Sequence, residues 1–475
     1  MTDVFYTIKN CTLFEGFSEL EILAVLSELG YSIKSYAAGQ TIYHDALDKP
    51  GSLGCVYLIV SGEISLALLR DTVLEHQLRI LGAGSLFGIV LAFSGIPHIP
   101  YSYRAVTDTV LMRIPVSFFD ASHNAGRSLH TRVLLNFLRI TEDKAAFLYR
   151  KISCLKSLTV RERIVKYLST LAQEESTYPG YTRSQLANYL GISREALSRG
   201  LSGMQKEGLI EVRKGEIRIL DRNAFLLGGE RVSCSHPAKI RRLPAAAVPA
   251  PSFLRMLPLF EHLPAAAVNR FLNLSHAKFI QVPAGEYLYW RGNTEKKLFI
   301  VLEGTCSLLF ETNDAHPHLI TQLGPGQLTG DTSYFSSRSR FDISCKAETP
   351  CRVMVIRGED FSELFTGQYE EQETILNNLF TLMSRKISVL RDKVHLLSNP
   401  AARQRIVWYL YSLMEREGTS HLIPPLSREN MARYLGISRP ALCKELRILE
   451  NQNIIRVHRG TFEILDTERI EPLRI

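Results

Sequence analysis

The sequence predicts an α+β multidomain chain of two repeats. Each repeat is a small antiparallel β barrel of the jelly-roll kind, then a long helix, then a winged helix-turn-helix. Three observations lead there. The stretch 182–199, TRSQLANYLGISREALSR, returns at 427–444 as SRENMARYLGISRPALCK, with ten identities at an offset of 245 residues. Glycine-marked turns recur as well: Leu13-Phe14-Glu15 and Ala38-Gly39 return as Leu259-Phe260-Glu261 and Ala284-Gly285 at offset 246. Val60-Ser61-Gly62 and Gly82-Ala83-Gly84 correspond to Leu302-Glu303-Gly304 and Gly324-Pro325-Gly326 at offset 242. Third, each half carries one long stretch with an apolar residue every three or four positions, the period of a helix with one buried stripe. A period this long marks a duplicated unit.

The elements follow in order. Each half opens with a short helical lead-in rich in Leu and Ile. About 100 residues of short β-patterned runs come next, in the first half at 55–60, 63–69 and 110–114, broken by glycine turns. That spacing suits a small antiparallel barrel. The resulting division is barrel 1 at 1–116, long helix 1 at 117–157 and winged helix-turn-helix 1 at 158–226. A linker at 227–252 leads to barrel 2 at 253–358, long helix 2 at 359–398 and winged helix-turn-helix 2 at 399–475.

The long helices carry a strict 4-3 spacing. It selects Leu134, Leu138, Thr141, Ala145, Leu148, Ile152 and Leu155 in the first, and Leu376, Phe380, Met383, Ile387, Leu390, Val394 and Leu397 in the second. Every pair is 242 residues apart, and such a seam is what a parallel two-stranded coiled coil needs. Paired in register, the small Thr141 and Ala145 face the larger Met383 and Ile387, which conserves core volume. The expectation is a monomer whose halves pair as an intramolecular pseudo-dimer. The alternatives are that each seam packs on its own barrel, or that two chains pair like with like.

In 182–199, Thr182 and Gln185 have the spacing of a capping box, and Leu186, Tyr189 and Leu190 give one apolar face. Gly191 stands where the chain must turn, and Ser193 is placed to cap a second helix. An ordinary helical hairpin in a core has the same outline. The functional reading is a helix-turn-helix whose second helix enters the DNA major groove. Behind each copy lies a short hairpin, 209–213 with 216–220 and 454–458 with 461–465. These are wings, with Arg213, Lys214 and Arg459 at or beside the turns, near a phosphate backbone. The join at 221–252 contains RRLPAAAVPAPS and reads as a spacer.

Composition bounds the function classes. The 475 residues are 45% hydrophobic and 22% charged, as in globular domains with real cores. The net charge of +8 suits a polyanionic partner. The longest apolar run, 86–93, is far short of a membrane span, and the N-terminus has no signal-peptide pattern. Eight scattered cysteines without a CxxC pair fit reduced thiols and a cytoplasmic location, with no membrane association. Paired catalytic carboxylates, a nucleophile elbow and a phosphate loop are missing, so an enzyme is not expected.

The order barrel, long helix, winged helix, with the turns VSGE (60–63) and GAGSLFG (82–88), resembles the Crp/Fnr family of bacterial transcription regulators, twice over. The departure is the fusion of two protomers in one chain. The resemblance implies cyclic-nucleotide-binding-like barrels, dimerisation-type long helices, and double-stranded DNA and RNA polymerase as partners. In Fnr-like members the recognition helix carries E-x-x-S-R, present here as Glu195, Ser198 and Arg199, which the resemblance implies read base edges. Their chemistry agrees: Arg pairs with guanine, Glu accepts from the cytosine amino group, and Ser is adaptable. The second half has Pro440, Cys443 and Lys444 there; proline offers no base-reading group, and lysine remains a cation. Arg194 and Arg439, one residue after each cap, suit phosphate contacts. For every one of these residues the plain alternative is a solvated helix surface. Both 182–221 and 427–466 hold seven Lys/Arg against five Asp/Glu, so placement rather than bulk charge must supply affinity.

Cyclic-nucleotide members hold the ribose and phosphate with a Gly-Glu pair and a later Arg-Ser. Here Ile89 follows Gly88, and 94–103 contains no arginine. In the second barrel Gly330-Asp331 keeps an acid, Arg338 and Arg340 lie nearby, and Phe341 falls at the arginine position. A loop with two arginines is the simpler reading. Only Cys11 lies where iron–sulfur members have a cysteine cluster. Neither cofactor is therefore expected, and an unidentified small effector, or none, remains. Cys345 and Cys351 read as half-buried strand thiols rather than a redox pair, and His316-Pro317-His318 as a loop rather than a metal site; haem ligation near His76 is a further option. A second function also stays open: a ligand-binding signalling module whose second helix-turn-helix is structural and does not read DNA.

Overall fold

The structure, a computed structural model, describes residues 2–44, 54–69, 75–93, 101–119, 128–156, 159–174, 182–213, 216–221, 225, 241–242, 249–310, 317–331, 341, 343–365, 369–399, 401–458, 460–467 and 470. The fold is α+β and duplicated. Two compact units emerge, and each contains parts of both repeats. The first unit (1–148, 234–308 and 322–389) holds most of both barrels and the leading parts of both long helices. The second (149–233, 309–321 and 390–475) holds the trailing parts of those helices and both winged helix-turn-helices.

Each barrel is two antiparallel sheets. In the first, Ser32–Tyr36, Thr109–Pro115, Cys55–Ser61 and Leu86–Phe87 form one sheet. Thr41–His44, Tyr101–Ala105, Ile64–Leu69 and Glu75–Leu81 form the other. The strands Cys55–Ser61 and Thr109–Pro115 are long and central, so their residues are buried on both faces, as near-continuous Val, Leu and Ile allow. Tyr43, Tyr57, Phe87 and Tyr103 fill the space between the sheets, with Tyr57 stacked on Phe87 at 4.9 Å and Phe87 tilted on Tyr103 at 4.7 Å. Gly62 ends the Cys55–Ser61 strand at φ 85°, and a Cβ there would lie 2.4 Å from the Asp108 carbonyl, so only glycine fits. Its repeat mate Gly304 is held the same way against Pro350.

The second barrel repeats the plan, with one addition. Arg241–Arg242, in the middle of the presumed spacer, pairs antiparallel with Lys278–Val282 as an edge strand (Arg241 opposite Gln281). The join is thus partly structural: charged residues cover an open sheet edge, where unpaired backbone groups are a liability. Cys345 and Cys351 are fully buried rather than half-buried, and Cys351 meets Cys306 at 3.6 Å between sulfurs. His318 opens a strand, His318–Leu323, rather than a loop; His316 lies outside the described residues.

The long helices are Ser128–Lys156 and Gln372–Ser398. The second is preceded by a separate short helix, Gly358–Glu363. Asn136 donates from its amide to the carbonyls of Leu13 and Glu15, at 3.1 and 3.0 Å. Asn378 does the same to Leu259 and Glu261, both at 2.9 Å. This is what the repeated Leu-Phe-Glu turn is for: its two inward carbonyls are satisfied by the long helix. Of the seam, Leu134, Leu138, Thr141, Ala145, Ile152, Leu376, Phe380, Met383, Ile387, Leu390 and Val394 are buried, and Leu148 is half-buried. Within the first unit the two repeats share one hydrophobic core, in which the Phe380 ring meets Phe137 at 5.2 Å and Phe93 at 6.0 Å. His130 also bridges the repeats there, meeting the Phe118 carbonyl at 2.7 Å and Glu373 at 3.2 Å. No described helix is long and apolar enough to cross a membrane.

Candidate nucleic-acid interface

Both helix-turn-helix motifs form. The first pairs Arg183–Leu190 with Arg194–Lys206, and the second pairs Arg428–Leu435 with Arg439–Asn451. Ser193 accepts from the Ala196 amide at 3.1 Å and Ser438 from the Ala441 amide at 3.3 Å, so both second helices begin at a side-chain cap. Ser427 caps the first helix of the second motif, through the Asn430 amide. The Gln185 side chain, the expected partner of Thr182, is not among the described side chains. Gly191 and Gly436 make the turns at φ 62° and 66°. A Cβ on Gly191 would come within 2.8 Å of Leu155. Leu197, Leu201 and Met204 bury one face of the first recognition-position helix, and Leu442, Leu446 and Leu449 that of the second. Ser193→Ala is expected to cost about 1 kcal/mol, read as a lower denaturant midpoint with unchanged slope; no shift would mean the cap is idle.

The opposite face carries the sequence-predicted residues. Arg194, Glu195 and Arg199 are exposed, and Ser198 is half-buried. The Glu195 carboxyl is held below its usual range, first by its own backbone amide at the helix start and then by the Ser193 side chain, so it stays an acceptor. Arg183 donates to the Ser198 hydroxyl at 3.2 Å, which orients the serine. In the second motif Arg439, Pro440, Cys443 and Lys444 are exposed. Arg439 stands 3.9 Å from Glu429, a surface pair of small worth. Arg428, the mate of Arg183, lies over the Phe462 ring at 4.4 Å instead. The two faces therefore differ in support as well as in composition.

The wings are Ile210–Arg213 with Glu216–Ile219, and Ile455–His458 with Thr461–Ile464; the second gains a third strand, His421–Leu422. Arg213 points outward and pairs with Glu211 at 2.7 Å. Lys214 and Arg459 lie outside the described residues.

Three repeated supports have no local sequence signal. Arg163 donates to the carbonyls of Leu190 and Gly191, at 3.0 and 2.9 Å, and Arg405 to those of Leu435 and Gly436, both at 3.2 Å. A cation at the end of the first helix satisfies carbonyls that the turn leaves open. Tyr167 packs on Tyr189, and Tyr409 on Tyr434, both at 5.6 Å. Lys151 lies 5.3 Å from the Tyr189 ring centre and Lys393 3.2 Å from that of Tyr434. Burial pushes Lys151 down to about 8, and Lys393 well below the usual lysine range. Lys156, which donates to the Leu319 and Arg433 carbonyls, is pushed down to about 7 by burial and then by Arg433. The signal that could have found them is the repeat itself: Arg163 and Arg405, like Lys151 and Lys393, stand 242 residues apart.

In the barrels, Ile89 is buried in the core of the first unit. Asp331 is fully buried and hydrogen-bonded to Lys386 of the second long helix. Phe341 is buried and stacked on Tyr289 at 4.1 Å. Arg338 and Arg340 lie outside the described residues.

A family described as a Crp-like helix-turn-helix domain matches residues 162–226 and 404–473. A cyclic nucleotide-binding domain family matches residues 33–123 and 279–368, and the two together span more than half of the chain. The cAMP-activated global transcriptional regulator CRP of Salmonella typhimurium is 24% identical over 198 residues, 41% of this chain and 92% of that protein. The nitrogen fixation regulation protein FixK of Bradyrhizobium diazoefficiens is 26% identical over 218 residues, 44% of this chain and 87% of that protein. Among solved structures, the c-di-GMP responsive global regulator CLP of Xanthomonas campestris matches 43% of this chain and all of its own, at 22% identity and a TM-score of 0.37.

Proposed function

Because the chain belongs to the Crp/Fnr family of transcription regulators, with both of its domains present twice, we propose that its two repeats pair within one chain as a pseudo-dimer that reads an asymmetric operator. The observation that carries this is the inequality of two well-formed helix-turn-helices. Glu195, Ser198 and Arg199 stand on one, and Pro440, Cys443 and Lys444 on the other. The shared core of Phe137 and Phe380 supports pairing within the chain. In this reading Glu195, Ser198 and Arg199 take base edges in one half-site. Lys444, beside Cys443, takes guanine or phosphate in the other, and Arg194 and Arg439 take phosphates. Arg213, Lys214 and Arg459 place the wings beside the backbone. Half-sites then lie about 34 Å apart, one helical turn. RNA polymerase is the partner this reading adds.

A cyclic nucleotide does not fit the described barrel residues. An apolar Ile89 and an internally paired Asp331 leave no free acid for a ribose hydroxyl, and Phe341 fills the arginine position with an aromatic ring. The reading that remains is a small effector of another kind, or none.

Selection of bound DNA from a random pool by the full chain, with its solution mass recorded, tests the proposal. A species of 53.7 kDa on a two-part, non-palindromic site is the expected result. A palindromic site held by a two-chain species overturns it. Lys444→Ala is expected to weaken binding by roughly five- to tenfold, about 1 kcal/mol, at the second half-site. Unchanged affinity would favour a structural role for that motif.

A further inference from the structure

Glu142 is the first residue after the seam position Thr141, and it has no exposed surface. Among the described residues no ordinary donor reaches either of its carboxyl oxygens. The charged groups facing it are Asp331, two residues past the barrel 2 strand Leu328–Thr329, Lys386 on the second long helix, and Asp143 on its own helix. Asp331 is equally buried; one of its oxygens accepts from Lys386, and the other meets no donor among the described residues. Gly330 fixes that acid in place: a Cβ there would lie 2.1 Å from the Lys297 carbonyl. Two carboxyls without exposed surface thus share one ammonium, that of the largely buried Lys386, with one negative charge in excess. A buried unpaired charge is expensive, and two carboxylates bond to each other only through a proton.

The site exists on one side of the repeat only. The position equivalent to Asp331 is Ile89, and that equivalent to Glu142 is Ser384, buried with its hydroxyl unpartnered among the described residues. Lys144, the mate of Lys386, donates instead to the Leu86 carbonyl at 2.7 Å. Paired like with like between chains, each Glu142 would face an Ile89. The trio therefore belongs to the unlike pair of repeats.

We propose that Glu142, Asp331 and Lys386 form a one-proton latch between the two repeats, so that hydrogen-ion concentration is an input to this regulator. The latch rests on the intrachain pairing proposed above. With the proton between the carboxyls the trio is neutral and the helices stay packed. When the O–H bond breaks, the proton leaves to water and Glu142 becomes an unpaired anion. Burial, and then Asp331, hold the Glu142 carboxyl well above the usual 4.5, while Lys386 pulls it down less. A folded carboxyl raised in this way keeps its proton where the unfolded chain has lost it. Its contribution to stability is full below the unfolded value and falls as pH rises from about 4.5 to the raised folded value. The buried lysines Lys156 and Lys393, held low when folded, slope the opposite way. The latch is therefore read as a difference between wild type and variant.

The test compares the full chain with Glu142→Gln, which mimics the protonated acid, and with Asp331→Asn, which leaves Lys386 to Glu142 alone. Unfolding is followed by denaturant from pH 5 to 9, alongside the infrared stretch of protonated carboxyls. The expected result is a protonated-carboxyl band in wild type at neutral pH that both variants lose. Relative to either variant, the wild-type folding constant should fall by up to tenfold per pH unit. Parallel slopes, or no band in wild type, overturn the latch, and Asp331→Asn carries the test if Glu142→Gln does not fold. Oxidative crosslinking of Ala145→Cys with Ile387→Cys reports the pairing separately. A product of single-chain mass with parallel slopes overturns the latch alone; products only of two-chain mass overturn the pairing beneath it.

Discussion

Phe137→Ala is expected to destabilise the first unit by about 3–5 kcal/mol, the range for a fully buried phenylalanine. The ring has no exposed surface. It stacks on Phe119 at 4.5 Å and meets Phe93 at 5.8 Å and Phe380 at 5.2 Å. Removing it forfeits transfer free energy and leaves a cavity that four converging elements cannot all close. Phe380 comes from the other repeat, so the loss should reach both barrels. Denaturant unfolding followed by separate probes in each barrel should show both midpoints falling together. The double variant Phe137→Ala with Phe380→Ala should cost less or more than the sum by at least about 0.5 kcal/mol, since the two rings share partners. Midpoints that move in one barrel only would show that the repeats fold independently.

Arg199→Ala is expected to lower affinity for the selected operator by about 1–3 kcal/mol, roughly 5- to 150-fold, and to relax preference at one base pair of one half-site. The helix is capped by Ser193 and anchored by Leu197 and Leu201, so Arg199 is presented on a rigid support. Its neighbour Ser198 is held by Arg183. Arg194→Ala should instead weaken all sequences alike and reduce the salt dependence by about one phosphate contact. Fluorescence anisotropy against the operator and its single-base variants separates the two. A uniform loss for Arg199→Ala would move that residue from base reading to phosphate contact.

What could be read along the chain is whatever depends on short spacing. The duplication, the two helix-turn-helices and the wings were legible because caps, turn glycines and helical period act within a few residues. Ser193, Gly191 and Gly436 sit where a local rule puts them. The seam was legible as a buried stripe, since a 3.5-residue repeat selects a face. A period names a face but not its partner. Phe137, the ring that meets Phe380, falls beside the seam rather than on it. The Arg163 and Arg405 clamps, the lysines over Tyr189 and Tyr434, and the Asn136 and Asn378 anchors join residues tens to over a hundred positions apart. So does Glu142 with Asp331, an acid beside an acid, which no pairing rule proposes. Hydrogen bonds and desolvation act over a few ångströms of space whatever the sequence separation, so these contacts were decided only when the chain folded. The join shows the same limit: its Pro and Ala content predicted a spacer, and the open edge at Lys278–Val282 drew Arg241 and Arg242 into a sheet.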